Sequence, residues 1–474
     1  MDLPPPIPTV DPETTLRAQV THGALFIALR EGVGVLIGLV GIVALTRLIG
    51  PGSYGLYAAA ATVLNYLCTL SQWGLELNLV RRPGDLPANG LDQAFTLAIG
   101  LGLAGLLVGL AVAPWIEAWT GMAGFALPAR VLSLAVPGVL VAQVPRALLA
   151  RRLEFKSLAR MEITGQIGFY MVALPMAAFG SGAWAPVAGW WLQSLIVWTL
   201  LFRASGYRPH LVWERPLARE MLRDGLTFSA ANWVWQARSL VNPLLVGRIV
   251  GVVSVGYVDL AIRFTDNLGF AKVAASRVSL AALARVQQDK ERLRRAARDG
   301  ARLQVLAIGV LLVGFAWVAT RVVPIVFGDR WLPVLVVYPF VALESLCNSV
   351  FNMQISILFI LRRNLDVLIF HSAYLLSLVA TASVFLRSHG LVGYGAGVLM
   401  ALLSYAVLVG LAARRVGGID VTLAGAWAAG FACALFVPLL GPWLALPLLV
   451  VILWPNTWRE IIALVSPIIR RRVD

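Results

Sequence analysis

The sequence is short of charged residues, cysteines and histidines, and each shortage excludes a class of protein. Only 13% of its 474 residues are charged, whereas soluble domains contain about 25%, so a soluble globular protein is excluded. The three cysteines, Cys68, Cys347 and Cys433, lie far apart in apolar segments and predict neither a disulfide framework nor a metal site. The four histidines show no metal-ligand spacing. We therefore predict no metal and no cofactor.

Long apolar runs, by contrast, are abundant. Hydrophobic residues make up 59% of the chain, and runs of about 20 residues, enough to cross a hydrocarbon core about 30 Å thick, recur from end to end. Backbone polar groups inside lipid must bond to one another, so such runs predict helices. We predict an all-α polytopic membrane protein with about fourteen transmembrane helices, near residues 23–46, 54–80, 91–113, 127–150, 161–181, 183–202, 225–250, 254–275, 303–327, 332–361, 365–386, 390–413, 421–440 and 441–457.

The basic residues indicate which side of the membrane each loop faces. The net charge is +15, but the Lys and Arg residues lie in short loops rather than on one soluble domain, so we predict no nucleic-acid partner. If the N-terminus is cytoplasmic, alternate loops place most of the 39 basic residues on the cytoplasmic side, as the positive-inside rule requires. The pattern predicts a multi-pass protein of the bacterial inner membrane with its N-terminus in the cytoplasm.

One short pattern occurs twice, at residues 47–55 and 248–256. Arg, Gly, Ser and Gly stand at the same places in both copies, and each copy follows the first span of a set of six. An even number of spans per set gives both sets the same orientation, so the repeat is parallel. It predicts two six-helix lobes around a central cavity and two further C-terminal helices, with segments at 1–212, 213–415 and 416–474.

Ionisable side chains within the predicted spans are the candidate functional residues, because charge inside a bilayer is costly and usually faces a cavity. Asp259, Arg263 and Asp266 lie on one face of the eighth span. Arg238 lies near the middle of the seventh span, one turn before Asn242. We predict that substrate is bound by Arg30, Arg238, Arg263 and Asn242, and that the candidates for cation coupling are Glu31, Asp259, Asp266 and Glu344.

Several of these candidates also have a purely structural explanation. Arg263 can pair with Asp259 and Asp266 without any ligand. Arg30 can extend its charge to the membrane surface, and Glu344 can hydrogen-bond between helices. Arg238 has no acidic residue within a turn on its own helix, which favours a ligand for this residue.

Arginines in a cavity between two lobes favour an anionic ligand. A guanidinium group stays charged at any relevant pH and holds phosphate oxygens through paired hydrogen bonds, so a pyrophosphate headgroup fits these positions. Tryptophans can stack on sugar rings or anchor helices at the membrane surface, and both roles stay open for Trp190, Trp191, Trp233 and Trp235.

One segment resembles a known family. Residues 44–57 (ALTRLIGPGSYGLY) resemble the first-to-second-span signature of polysaccharide and O-antigen flippases, and Trp73-Gly74-Leu75 and Leu79-Val80-Arg81-Arg82 are similar to the end of that family's second span. These flippases belong to the multidrug/oligosaccharidyl-lipid/polysaccharide exporter superfamily. The resemblance implies two six-helix lobes with alternating access to a central cavity.

The same resemblance implies a function that is not enzymatic. A flippase of this family moves undecaprenyl-pyrophosphate-linked oligosaccharide repeat units from the cytoplasmic to the periplasmic leaflet, for exopolysaccharide, capsule or O-antigen assembly. The implied partners are this lipid-linked substrate, membrane lipids, and a polysaccharide polymerase with its export machinery.

Two other functions stay open. A cation-coupled multidrug exporter of the same superfamily would use acids such as Glu31, Asp259 and Asp266, whereas the intramembrane arginines favour an anionic cargo. A membrane-embedded polysaccharide polymerase typically has one large periplasmic loop, and all the predicted outer loops are short.

Overall fold

The computed structural model describes residues 12–81, 88–270, 272, 289–455 and 457–460, with side chains in the first helix from Ile37 onward. Nearly all of these residues are helical. The N-terminal half consists of α1 (Pro12–Ser71), α2 (Leu75–Arg81), α3 (Ala88–Thr120), α4 (Ala126–Ser133), α5 (Val136–Val141), α6 (Gln143–Arg151), α7 (Phe155–Ala178) and α8 (Trp184–Ser205).

The remaining helices follow in the same order as the predicted spans. The C-terminal half consists of α9 (Arg215–Ala237), α10 (Gly247–Ile249), α11 (Val252–Leu268), α12 (Lys290–Val326), α13 (Val334–Ile360), α14 (Asn364–Leu402) and α15 (Tyr405–Val416). Three shorter helices end the described chain: α16 (Thr422–Leu435), α17 (Val437–Leu440) and α18 (Leu446–Leu453).

Within the described residues, helices cover most of each predicted span, and the predicted all-α polytopic class is confirmed. Within the described ranges, seven helical stretches are long and apolar enough to cross a membrane. Some neighbouring predicted spans belong to one helical stretch that is interrupted at a single glycine. The spans predicted at 23–46 and 54–80 share α1, which changes direction at Gly50. The count of fourteen crossings stays a prediction.

Two glycines of the repeated pattern shape the chain in the same way. Gly50 divides α1 with φ 71° and ψ 172°, and Gly251 precedes α11 with φ 104° and ψ 168°. A positive φ is strained for any residue with a Cβ atom, so glycine is favoured at both turns. Pro51 fits directly after Gly50, since the first helical position needs no backbone N–H. The matching turns explain why these positions repeat in the sequence.

The repeated segments also form a direct contact between the two halves. A Cβ atom on Gly55 would lie 2.0 Å from the carbonyl oxygen of Val252, and one on Gly256 would lie 2.5 Å from the carbonyl oxygen of Pro51. The backbones of α1 and α11 therefore touch, which a larger side chain would prevent. This α1–α11 crossing pairs the two copies of the repeat with each other.

The repeated arginines tie each half to the other. Arg47 Nη1 donates to the carbonyl oxygens of Ile325 (3.3 Å) and Val326 (3.4 Å) at the end of α12. Arg248 donates to the Trp119 carbonyl oxygen near the end of α3, and its guanidinium carbon lies 4.0 Å from the Trp119 ring centroid. A cation is favourable at a helix C-terminus because the last carbonyl groups carry partial negative charge. In both copies of the repeat, the arginine thus hydrogen-bonds near the C-terminus of a helix in the other half.

Two large hydrophobic cores lie on either side of this contact. One is built mainly from residues 57–221. The other runs mainly from Ala231 to Leu448 and includes Tyr54 of α1. Helix α16 packs into the second core through Trp427, which is fully buried. Because α9 contributes to both cores, the segment boundaries predicted at 212 and 415 stay predictions.

Candidate functional site

A cavity of about 620 Å³ lies among α1, α7, α8 and α11. We name it the N-terminal chamber. Half of its lining residues are aromatic or amide side chains of the N-terminal half, among them Tyr57, Asn65, Gln166, Tyr170, Trp190 and Gln193. Arg263 of α11 lines the chamber from the other half. Arg263, which was predicted to bind substrate, therefore lies where the two halves meet.

Arg263 is paired and still reaches the chamber. Its Nε atom donates to Asp259 Oδ2 at 2.8 Å, and the same carboxylate oxygen accepts from the Tyr54 hydroxyl at 2.6 Å. The Asp259 side chain is 15% exposed, whereas that of Arg263 is 41% exposed. One edge of the guanidinium thus contacts Asp259, and the rest is available to a ligand. The structural pairing with Asp259 is observed, while the pairing with Asp266 is not.

A second cavity, of about 170 Å³, lies within the C-terminal half. We name it the C-terminal pocket. Its lining holds four charged side chains and two amides: Arg238, Asp266, Lys272, Glu344, Asn242 and Asn348. Four candidates predicted from the sequence therefore meet at one place. Lys272, which lies near the end of the predicted span 254–275, also lines this pocket.

The central pair of this pocket is Arg238 and Glu344. Arg238 Nη1 donates to Glu344 Oε1, and the side chains are 32% and 13% exposed, respectively. The Arg238 guanidinium carbon also lies 4.0 Å from the centroid of the Trp235 ring. Behind that ring lies His371, whose centroid is 4.7 Å from that of Trp235 and whose Nδ1 lies 2.9 Å from the Ala231 carbonyl oxygen. Arg238 is therefore held in a fixed position.

The backbone around Arg238 is irregular. After α9 ends, residues Arg238–Leu240 form a 3₁₀ turn and Asn242–Val246 form a π-helical turn. Pro243 contributes to this break because it has no N–H group to donate. Such π-helical turns occur frequently at functional sites. The break places Arg238 and Asn242 on the C-terminal pocket.

The remaining candidates divide into three groups. Asn242 is buried, and its Nδ2 donates to the Val255 carbonyl oxygen at 3.2 Å, while its Oδ1 has no hydrogen-bond partner in the described part of the chain. The Asp266 carboxylate is exposed and forms no hydrogen bond or ion pair with another described residue. Arg30 and Glu31 lie in α1, but their side chains fall outside the described part of the structure. The binding and coupling roles of all these residues stay predictions.

Sequence reasoning missed the contacts that join distant residues at this site. Tyr54 was visible in the repeated pattern, yet its hydrogen bond to Asp259 joins positions 205 residues apart. Glu344 is 106 residues from Arg238, so spacing on one helix gave no signal. Among the described residues, no group of three His, Cys, Asp or Glu side chains is arranged to hold a metal.

Comparison with known proteins shows the family of the chain. The family profile described as "Polysaccharide biosynthesis protein" matches residues 44–336, more than half of the chain and both copies of the repeat. The lipopolysaccharide biosynthesis protein WzxC of Escherichia coli (strain K12) is 25% identical over 347 residues, which cover 71% of this chain and 69% of WzxC. The succinoglycan biosynthesis transport protein ExoT of Rhizobium meliloti (strain 1021) is 25% identical over 295 residues, which cover 60% of this chain and 58% of ExoT.

Solved structures share the fold. The lipid II flippase MurJ, in an inward closed conformation, superimposes with a TM-score of 0.70 at 13% identity, and the match covers 94% of this chain and 100% of MurJ. An inward-facing multidrug resistance transporter of the MATE family gives a TM-score of 0.59 at 16% identity over 83% of this chain and 95% of that chain. Both are polytopic membrane transporters of one architecture. With residues 44–336 matching its profile, the chain belongs to the polysaccharide biosynthesis protein family, in agreement with the resemblance in its first two spans.

Proposed function

We propose that this protein is a flippase for lipid-linked oligosaccharides. It moves undecaprenyl-pyrophosphate-linked repeat units from the cytoplasmic to the periplasmic leaflet of a bacterial inner membrane, for exopolysaccharide, capsule or O-antigen assembly. The observation that carries the proposal is the placement of Arg263 and Arg238. Each guanidinium lines a cavity and is only partly covered by its carboxylate partner.

The ion pairs explain how arginines are kept inside the protein without cargo. An unpaired charge is costly to bury, and Asp259 and Glu344 supply the counter-charges in the empty cavities. A pyrophosphate group brings its own negative charge and can take over hydrogen bonds from the carboxylates. On binding, each arginine exchanges its carboxylate partner for a phosphate of the substrate. The headgroup is then bound firmly enough to be selected and loosely enough to be released.

The contact between the halves supports alternating access. The α1–α11 crossing joins the two halves and pairs the two copies of one repeat. In this proposal the halves separate at the crossing when the cavity opens to the periplasm, and they close at the opposite end. The Tyr54–Asp259 hydrogen bond would break in that step, because it also joins α1 to α11.

The multidrug-exporter alternative draws on one observation, the Asp266 carboxylate in the C-terminal pocket, which could attract a cation. Arg238 and Lys272 line the same pocket and balance the charges of Asp266 and Glu344, so these four groups together provide no net negative charge for a cationic drug. The similarity to ExoT, which is named a transport protein, disfavours a polymerase. A cytoplasmic N-terminus, with polymerase and export machinery as partners, belongs to the same proposal.

Export complementation tests the proposal. Arg238→Ala and Arg263→Ala are each expected to abolish or sharply reduce polysaccharide export in a strain that depends on this protein. Arg130→Ala is the matched control, since Arg130 is exposed and, among the described residues, hydrogen-bonds only to the Leu110 carbonyl oxygen. Membrane abundance of each variant is measured in parallel. Normal export by both cavity variants would overturn the anionic-headgroup proposal.

A further inference from the structure

The two cavities differ in chemistry, which indicates that they bind different parts of the substrate. We infer that the N-terminal chamber is a binding site for the first sugars of the saccharide and that it sets which saccharides are transported. This inference rests on the proposed flippase function and goes beyond it. The chamber residues that carry it are the amides Asn65, Gln166 and Gln193 and the rings of Tyr57, Trp190 and Trp198.

The amide groups are the first observation. The side chains of Asn65, Gln166 and Gln193 line the chamber, and none of them forms a hydrogen bond with another described side chain or backbone group. Each amide offers two N–H donors and one carbonyl acceptor. Asn65 is exposed and Gln166 and Gln193 are half-buried, so all three amides are open to a ligand. Sugar hydroxyl groups donate and accept in the same way. A neutral, hydroxyl-rich ligand would therefore satisfy all three amides.

The aromatic rings are the second observation. Trp190 and Trp198 face the chamber, and their indole N–H groups bond to no described residue. Trp191 lies between them, with ring centroids 6.0 Å from Trp190 and 6.1 Å from Trp198, both edge to face. Rings fixed in this way offer apolar faces and polar N–H edges together, which match the C–H faces and hydroxyl rims of pyranose rings. These tryptophans thus differ from Trp115, which is 61% exposed on the outer surface, as an interfacial anchor would be.

The distribution of charge is the third observation. The described charged side chains of the chamber are Arg263 at its boundary with the C-terminal half and the Arg146–Glu162 ion pair (3.3 Å). The smaller C-terminal pocket, by contrast, holds four charged groups in about 170 Å³. The chamber volume of about 620 Å³ falls within the range of about 300–1,000 Å³ usual for small-molecule sites. A pyrophosphate held by Arg263 would place the attached sugars among the amides and aromatic rings of the chamber.

Binding of two kinds of probe separates this inference from the flippase proposal. Native mass spectrometry on the purified full-length protein compares undecaprenyl pyrophosphate with the same lipid carrying glucose, galactose or N-acetylglucosamine. The double variant Gln166→Met/Gln193→Met removes both amides at similar side-chain volume, which limits effects on folding. Gln236→Met is the control, because Gln236 lines neither cavity.

We expect the wild type to bind at least one sugar-bearing lipid about thirtyfold more tightly than undecaprenyl pyrophosphate, since two hydrogen bonds of about 1 kcal/mol each give a factor of this order. The double variant is expected to lose this preference and keep its affinity for undecaprenyl pyrophosphate, and Gln236→Met is expected to keep both. A wild type without any sugar preference, or a double variant that retains it, would overturn the sugar site alone. Failure of the wild type to bind any of these lipids would instead overturn the flippase proposal.

Discussion

Replacing Glu344 by Gln should weaken the fold and strengthen the binding of an anionic headgroup. Glu344 is 13% exposed and Arg238 is 32% exposed. The energetic cost of breaking this pair should therefore lie between the costs for fully buried and for exposed ion pairs. Removing one partner of a fully buried pair costs about 3–5 kcal/mol, whereas exposed pairs contribute about 0–1 kcal/mol. We therefore expect Glu344→Gln to lower the free energy of unfolding by about 1–3 kcal/mol, because Arg238 keeps its charge and loses its counter-ion.

The same change should favour the substrate. In the wild type a phosphate must compete with Glu344 for the Arg238 guanidinium, and in the variant this competition is gone. If loss of the competition with Glu344 favours binding by about 1.4 kcal/mol, the affinity for the phosphate rises tenfold. The assay is thermal unfolding of the purified protein at increasing concentrations of undecaprenyl pyrophosphate, which gives both the stability and the apparent affinity from one data set.

Asp366→Asn is the matched control for this prediction. Asp366 accepts from Arg415 Nε at 2.9 Å, and the two side chains are 9% and 38% exposed, close to the values of the Arg238–Glu344 pair. It lines neither cavity, so its loss should destabilise the protein without changing affinity for the lipid. Equal affinities in the wild type, Glu344→Gln and Asp366→Asn would refute the idea that Glu344 and substrate compete for Arg238.

Two further predictions concern the halves and their orientation. Gly55→Ala should reduce export at least about tenfold, because its Cβ atom would lie 2.0 Å from the Val252 carbonyl oxygen. Gly314→Ala should be tolerated, since a Cβ atom there meets nothing within 4 Å; normal export by both variants would show that the α1–α11 crossing is dispensable. In a cysteine-free background, single cysteines near Arg152, Arg208 and Arg295 should be shielded from impermeant thiol reagents in intact cells, and cysteines near Gly52, Gly121 and Gly328 should be labelled. The opposite labelling pattern would contradict a cytoplasmic N-terminus.

The helices and the repeated turns were predictable because their causes are local. Apolar length alone marks a membrane helix, and Gly50 and Gly251 repeat because both adopt a positive φ that disfavours other residues. The repeat also indicated that α1 and α11 occupy equivalent places. It did not show that Gly55 and Gly256 lie in the same contact, since sequence symmetry does not specify how the two copies pack.

The partners of the intramembrane arginines could not be predicted, because ion pairs between helices leave no spacing in the sequence. The Arg263–Asp259 pair lies four residues apart on α11 and was among the alternatives that the sequence offered. The Arg238–Glu344 pair joins α13 to the irregular segment after α9, and only the folded chain brings them together. The chamber amides Gln166 and Gln193 gave no signal either, since isolated glutamines in apolar helices are compatible with many roles.

Transbilayer movement of a lipid-linked oligosaccharide in proteoliposomes tests the central claim most directly. The purified protein is reconstituted, an undecaprenyl-pyrophosphate-linked oligosaccharide is placed in one leaflet, and the membrane potential is set with potassium and valinomycin at fixed pH and sodium. We predict movement faster than in protein-free vesicles or with Arg238→Ala/Arg263→Ala, and faster still when the potential draws the anionic headgroup across, since each charge gains about 2.3 kcal/mol per 100 mV. Movement by the wild-type protein no faster than in protein-free vesicles, whatever the potential, would contradict the account.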